Sequence, residues 1–251
     1  MRKVGLEICL DSPESALIAE QNGATRVELC DNLIEGGTTP SAGSIAITRK
    51  LVKIPIHVMI RPRGGDFRYS DTEFEVMKYD IQEAKRLGAN GVVIGLLNPD
   101  GSVDVHRTKK LVELAKPLNV TFHRAFDMTA DPFKALEDLI SIGGIQRVLT
   151  SGQDSGVLEG LPLLTELVQK AGNKITILPG CGITVRNLDR ILAELDVPEV
   201  HMAIPTSTSS KMTYRNGNVF MGVAITTPEY SISMTDGTGV NDVSKLLGNV
   251  K

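Results

Sequence analysis

Tryptophan is absent, and aromatic residues make up only 4% of the 251 positions. That scarcity argues against base-stacking platforms and aromatic cation cages, and it leaves Val, Ile, Leu and Ala to fill the interior. Cysteine occurs three times, at positions 9, 30 and 181. An odd, sparse set fits free thiols in a reducing compartment better than a disulfide framework, so a cytoplasmic protein is expected. No apolar run approaches the ~20 residues of a membrane span. The N-terminal apolar stretch is interrupted at Glu7 and ended by Asp11 and Pro13, so neither a signal peptide nor a membrane partner is expected. A surplus of one charge is missing too: 27 Lys and Arg stand against 30 Asp and Glu, a net charge of −3. Without a basic run there is nothing to neutralise a row of phosphates, which disfavours nucleic acid as a partner. An apolar content of 41% excludes intrinsic disorder.

What is present is a repeating pattern. Short β-branched runs cover 4–10, 26–30, 54–60, 91–97, 120–125, 147–151, 175–179 and 200–204, each followed by a stretch with helical spacing. Helix starts are marked by Ser12-Pro13-Glu14, Ser70-Asp71 and Asp131-Pro132, which supply N-cap oxygens and first-turn prolines or acids. Glycines and asparagines at Asn22-Gly23, Leu87-Gly88 and Gly143-Gly144 mark the exits. Eight strands alternating with helices in a chain of this length predict an α/β fold, one (β/α)8 TIM barrel formed by the whole chain. The segment 206–239, rich in Ser, Thr, Gly and Asn, reads as an excursion after strand eight. It contains a further strand expected over 219–225, and the last helix is expected to resume at Val240.

Barrel strands covered on both faces should be almost continuously apolar. Several are not. Alternation places Glu7 and Cys9 opposite Leu6, Ile8 and Leu10, and Arg26, Glu28 and Cys30 opposite Val27 and Leu29. His57, Met59 and Arg61 fall opposite Val58 and Ile60, His123 lies in the fifth run, and His201 in the eighth. The polar set is expected to line the lumen. Each of these residues alone is explained by a buried salt-bridge network; together, near the C-terminal strand ends, they predict a functional pocket at the barrel mouth. Glu7, Glu28, His57, Arg61 and His123 are then candidate catalytic residues for acid–base chemistry. His106, in a polar helix, reads as structural.

Two further groups suggest an anionic ligand. Ser151-Gly152 after the sixth run and Gly180-Cys181-Gly182 after the seventh present backbone N–H groups with little cover, the second leading into a helix expected at about Thr184. Arg61 and Arg63 add forked donors. The predicted anion-binding set is Arg61, Arg63, Ser151, Gly152, Gly180 and Gly182. A separate reading starts from the matching spacing of Glu7-x-Cys9 and Glu28-x-Cys30, which lets two thiolates meet at the end of neighbouring strands. Such a pair suits a soft ion such as Cu(I), with Met59 or a histidine as a third ligand; against it, free cysteine often packs as a small apolar group.

At these residues the sequence resembles the CutC family of copper homeostasis proteins. The matching segments are LEICLDSPESA, RVELCDNLIEGGTTPS, PIHVMIRPRGGDFRYSDTEFEVM, VTFHRAFDM, RVLTSGQ, LEGLPLL and ILPGCGIT, with MTYR at 212–215 in the tail. The resemblance implies a (β/α)8 barrel, a cytoplasmic homo-oligomer and a role in copper handling. It makes Cys9 and Cys30 candidate metal ligands, with Cu(I) as the ion; Cys181, in the glycine turn, is left out. An enzyme acting on a small phosphorylated or carboxylated metabolite stays open as an alternative, as does a scaffold that binds a protein partner through 206–239.

Overall fold

The computed structural model describes residues 3–221 and 229–249. Its elements follow in strict alternation: β1 (Gly5–Leu10), α1 (Pro13–Gln21), β2 (Arg26–Leu29), α2 (Ala42–Leu51), β3 (Ile56–Met59), α3 (Asp71–Arg86), β4 (Gly91–Ile94) and α4 (Val105–Ala115). Then come β5 (Asn119–Phe122), α5 (Pro132–Ile142), β6 (Arg147–Thr150), α6 (Leu161–Ala171), β7 (Thr176–Pro179), α7 (Leu188–Glu194) and β8 (Glu199–Met202). A hairpin of β9 (Pro205–Ser209) and β10 (Ser231–Thr235) precedes α8 (Gly237–Leu246).

The eight strands are parallel and ordered β7-β6-β5-β4-β3-β2-β1-β8. A parallel bridge between Gly180 and His201 brings the two outer strands together, so the sheet closes into the expected (β/α)8 barrel. The outward residues of alternate positions, among them Leu6, Ile8, Val27, Leu29, Val58, Ile60, Val92 and Ile94, are fully buried beneath the helices. In α3 the buried face is Phe74, Met77, Ile81 and Ala84, the three-to-four spacing of an amphipathic helix.

Helix starts follow the sequence signals. Ser12 accepts from Ser15 N–H, Ser70 and Glu73 form a reciprocal capping box, and Asp131 accepts from Phe133 and Lys134 N–H. Helix α2 carries no comparable apolar signal, because only Ile45 and Thr48 of its ten residues are buried; a Ser41 cap holds its start. The helix expected at about Thr184 begins four residues later, at Leu188, since Thr184 N–H and Gly182 C=O are taken up by the Asn187 side chain in an intervening turn. The last helix starts earlier than expected, at Gly237, where Asp236 caps Thr238 N–H. The excursion after β8 holds the β9–β10 hairpin; of the strand expected over 219–225, residues 222–225 lie outside the described residues.

Candidate functional site: the thiol-bearing barrel mouth

Strands β3 and β5 are shorter than the apolar runs that suggested them, so Arg61 and His123 sit just past strand ends rather than on strands. At His123 the cause is local: its Nδ1 accepts the Ala125 N–H at 3.1 Å and turns the chain into a 3-10 segment, Arg124–Met128. The imidazole needs space from β4's continuation. A Cβ on Gly95 would lie 2.3 Å from His123 Cε1 and 2.8 Å from the Ala125 Cβ. Gly95→Ala is therefore expected to lower stability by about 1–3 kcal/mol, the usual range for overpacking, measurable by urea denaturation.

The floor of the lumen is a charge ladder. Arg26 donates from Nε to Glu7 and from a terminal nitrogen to Glu199, and Glu199 also accepts from Arg147 Nε at 2.9 Å. Above it, Glu7 Oε1 lies 2.8 Å from His201 Nδ1, and His57 Nδ1 is 3.8 Å from Glu7 Oε2. Burial alone would raise the Glu7 pKa, but Arg26, the His201 hydrogen bond and the charge of His201 outweigh it and hold the carboxyl well below the usual carboxylate range. His57 goes the other way: burial drives its imidazole down to about 4, and its ring covers Gly91, where a Cβ would come within 2.5 Å of it. His57 is thus a neutral, packed side chain. Burial would also lower His201, yet the carboxylates of Glu28 and Glu7 and the Cys9 hydrogen bond raise it well above its ordinary value.

The two cysteines meet at the mouth, although not as matched motifs. Cys9 is the register partner of Glu28, and Glu7 of Arg26, so the two Glu-x-Cys segments are offset by one pleat. Even so, Cys9 Sγ and Cys30 Sγ lie 3.9 Å apart, and Cys30 Sγ is 3.5 Å from Glu28 Oε2. The Cys30 hydrogen bond, opposed by burial and aided by His201 and Glu28, brings Cys9 down to about 5. Cys30, whose hydrogen bond to Cys9 and burial both act upward, is raised and stays a thiol. Burial and the Cys9 charge raise the Glu28 carboxyl well above its ordinary value. Cys9, Glu28 and Cys30 present ligand atoms within 4.8 Å of one another, and so do Glu7, Glu28 and His201. Cys9 and Glu28 also line a cavity of about 280 Å³, together with Met59, Arg61, Phe67 and His123.

The remaining expected anion donors are differently occupied. Arg61 spends its terminal nitrogens on the carbonyls of Glu35, Gly37 and Gly65, tying the β2 and β3 loops together. Arg63 faces away, pairing with Glu73 and Asp66. After β6 the chain supplies its own anion: Asp127 accepts from Ser151 N–H at 3.1 Å, from Gln153 N–H at 3.2 Å and from the Ser151 and Thr150 hydroxyls. Gly152 N–H goes to Thr150 Oγ1 and Gly180 N–H to Thr150 C=O. Ser151, Gly152 and Gly180 thus have their N–H groups engaged internally; Gly182 sits in a left-handed turn, φ +73°. Asp127, Glu199 and Arg147 are site residues that sequence reasoning passed over. Asp127 lies inside the histidine-capped 3-10 turn and the other two open strands, positions where a lone charge reads as solvated. A larger depression, about 730 Å³, opens at the opposite end of the barrel around Gln146, Asn173 and Asp196, the face on which this fold builds stability rather than chemistry.

Fold and site together define a (β/α)8 barrel with a thiol pair backed by an imidazole–carboxylate couple at its C-terminal mouth. The chain belongs to the CutC family: the family profile matches residues 4–206. It is 51% identical to the copper homeostasis protein cutC homolog of Mus musculus over 245 residues, covering 98% of this chain and 90% of that protein. Identity to the Homo sapiens counterpart is 50% over 245 residues, covering 98% and 89%. Among solved structures, the copper homeostasis protein CutC of Streptococcus agalactiae superposes with a TM-score of 0.74 at 34% identity, covering 79% of this chain and 98% of that one. No helix among the described residues is long and apolar enough to cross a membrane.

Proposed function

We propose that this protein handles copper by taking Cu(I) between the sulfurs of Cys9 and Cys30 at the barrel mouth. The observation that carries this reading is the 3.9 Å separation of the two Sγ atoms. It is far beyond the 2.05 Å of a disulfide, yet short enough for one ion to reach both. The donor chemistry fits: thiolates are soft ligands suited to Cu(I), and Met59 packs in the same small cluster as Cys30, with Cys9 beside it. Glu28, within reach of both sulfurs, is the harder donor and serves better as a proton store. Cys9 lines the cavity while Cys30 is buried behind it, so the ion enters past Cys9 and closes onto Cys30 as that thiol gives up its proton. Copper here is cargo, in keeping with the copper homeostasis named for the family's relatives.

Anaerobic titration with Cu(I) against a competing chelator is expected to saturate at about one equivalent per chain. Cys9→Ser with Cys30→Ser is expected to weaken binding by more than the ~10–100-fold that changes outside the ligand set cost. Unchanged affinity in that double variant would overturn the reading.

A further inference from the structure

The mouth cavity is also lined by Arg61, Phe67 and His123, side chains that the copper reading leaves unused. His123 is 4% exposed. Because its Nδ1 accepts the Ala125 N–H, the neutral ring carries its proton on Nε2, and that N–H has no hydrogen-bond partner. Burial and the nearby Arg61 charge drive the imidazole down to about 3, so it is a neutral donor throughout the physiological range. Arg61, 5% exposed, gives its terminal nitrogens to carbonyl oxygens, which bind the guanidinium but do not cancel its charge. Among the described residues it has no carboxylate within ion-pair distance. Phe67 joins the two groups: its ring lies 5.1 Å from the His123 ring and 5.2 Å from the Arg61 guanidinium carbon. A buried cation without a counter-charge is costly, and an unpaired buried N–H adds about 1–3 kcal/mol.

We infer that the mouth cavity binds a small organic monocarboxylate whose carboxylate accepts from His123 Nε2–H and balances the Arg61 charge, with Phe67 and Met59 against its apolar part. The missing counter-charge favours an anion over a neutral carbonyl compound. A phosphate is disfavoured, because the backbone donors after β6 that would cradle it are already bound to Asp127 and Thr150. The volume, about 280 Å³, lies just below the usual range for ligand pockets and sets the ligand's size.

Metal-free protein labelled with ¹⁵N-histidine tests this without reference to the thiol pair, so its outcome is independent of copper binding. Acetate, pyruvate and benzoate are titrated singly, each beside its methyl ester, with inorganic phosphate as a further probe. At least one carboxylate is expected to shift the His123 Nε2 resonance saturably, while the esters and phosphate leave it in place. His123→Phe, which keeps the ring and removes the donor, is expected to weaken binding of that carboxylate about ten- to a hundredfold by equilibrium dialysis. No response to any of the three acids, an ester or phosphate response equal to the acid's, or full affinity in a folded His123→Phe would each overturn the inference. Should that variant not fold, the comparison of acid with ester in the unaltered protein decides it alone.

Discussion

Glu7→Ala is expected to destabilise the barrel by about 3–5 kcal/mol, the range seen when one partner of a buried ion pair is removed. Glu7 is 1% exposed and is the shared acceptor for Arg26 Nε and His201 Nδ1. Its loss leaves an imidazole and part of a guanidinium desolvated without their common anion; Glu199 still holds Arg26, while His201 keeps its Cys9 hydrogen bond and Glu28, 3.9 Å away. Glu7→Gln, which keeps an acceptor oxygen, is expected to cost less, and Glu7→Gln with Arg26→Met less than the sum of the two single changes, since each removes the other's partner. Urea denaturation of the unaltered protein, Glu7→Ala, Glu7→Gln, Arg26→Met and the double variant measures this; additive costs in the pair would show that the ladder is not one coupled unit.

The same couple sets the acid and alkaline limits of stability. Glu7 has a folded pKa below its unfolded value, so its contribution is complete above the ordinary carboxylate pKa of about 4.3 and is lost as pH falls below it. His201 has a folded pKa above its unfolded value, so its contribution is complete below about pH 6.5 and is lost as pH rises through the elevated folded value. Stability is expected to peak between these limits, and in Glu7→Gln both flanks should flatten.

Alternation along the strands was enough to place Glu7, Cys9, Arg26, Glu28 and His57 in the lumen, because a two-residue period with one apolar face leaves no other direction for the polar side chains. Period alone does not reveal stagger between strands. Closing a barrel offsets neighbouring strands, and that offset sets Cys9 beside Glu28 and brings the thiols together diagonally. Sequence composition also does not reveal which donors are free. Ser151-Gly152 looks like an anion cradle until Asp127, 24 residues earlier in the chain, is seen to fill it. Arg61 looks like a clamp for ligand until three loop carbonyls are seen to hold its terminal nitrogens. In both cases tertiary contacts between βα loops decide, and no local pattern encodes those. Thr39 and Gly37 from the β2 loop, closing on Arg61, show the same limit.

In a Cys181→Ser background, Cys9 is expected to be alkylated by iodoacetamide with a midpoint at about pH 5, the value to which its surroundings bring it, while Cys30 reacts only on unfolding. The rate at a given pH combines two opposing effects. At pH 6 a thiol with a pKa of about 5 is ~90% thiolate, against ~0.3% for a free cysteine near 8.5, a gain of roughly 300-fold. A less basic thiolate is also less nucleophilic; with a Brønsted slope of about 0.45, the 3.5-unit difference costs roughly 40-fold. Cys9 should therefore react roughly eightfold faster than a free cysteine at pH 6 and roughly 30-fold slower at pH 9, where both are largely ionised. The two curves must cross, and simple accessibility cannot produce a crossing, since it scales a rate equally at every pH. His201→Asn is expected to move the midpoint upward by removing the neighbouring imidazolium, and Cu(I) at about one equivalent should suppress the reaction at both pH values. A profile parallel to that of free cysteine would mean that Cys9 is an ordinary thiol, and that metal capture at the mouth must wait for both protons to leave.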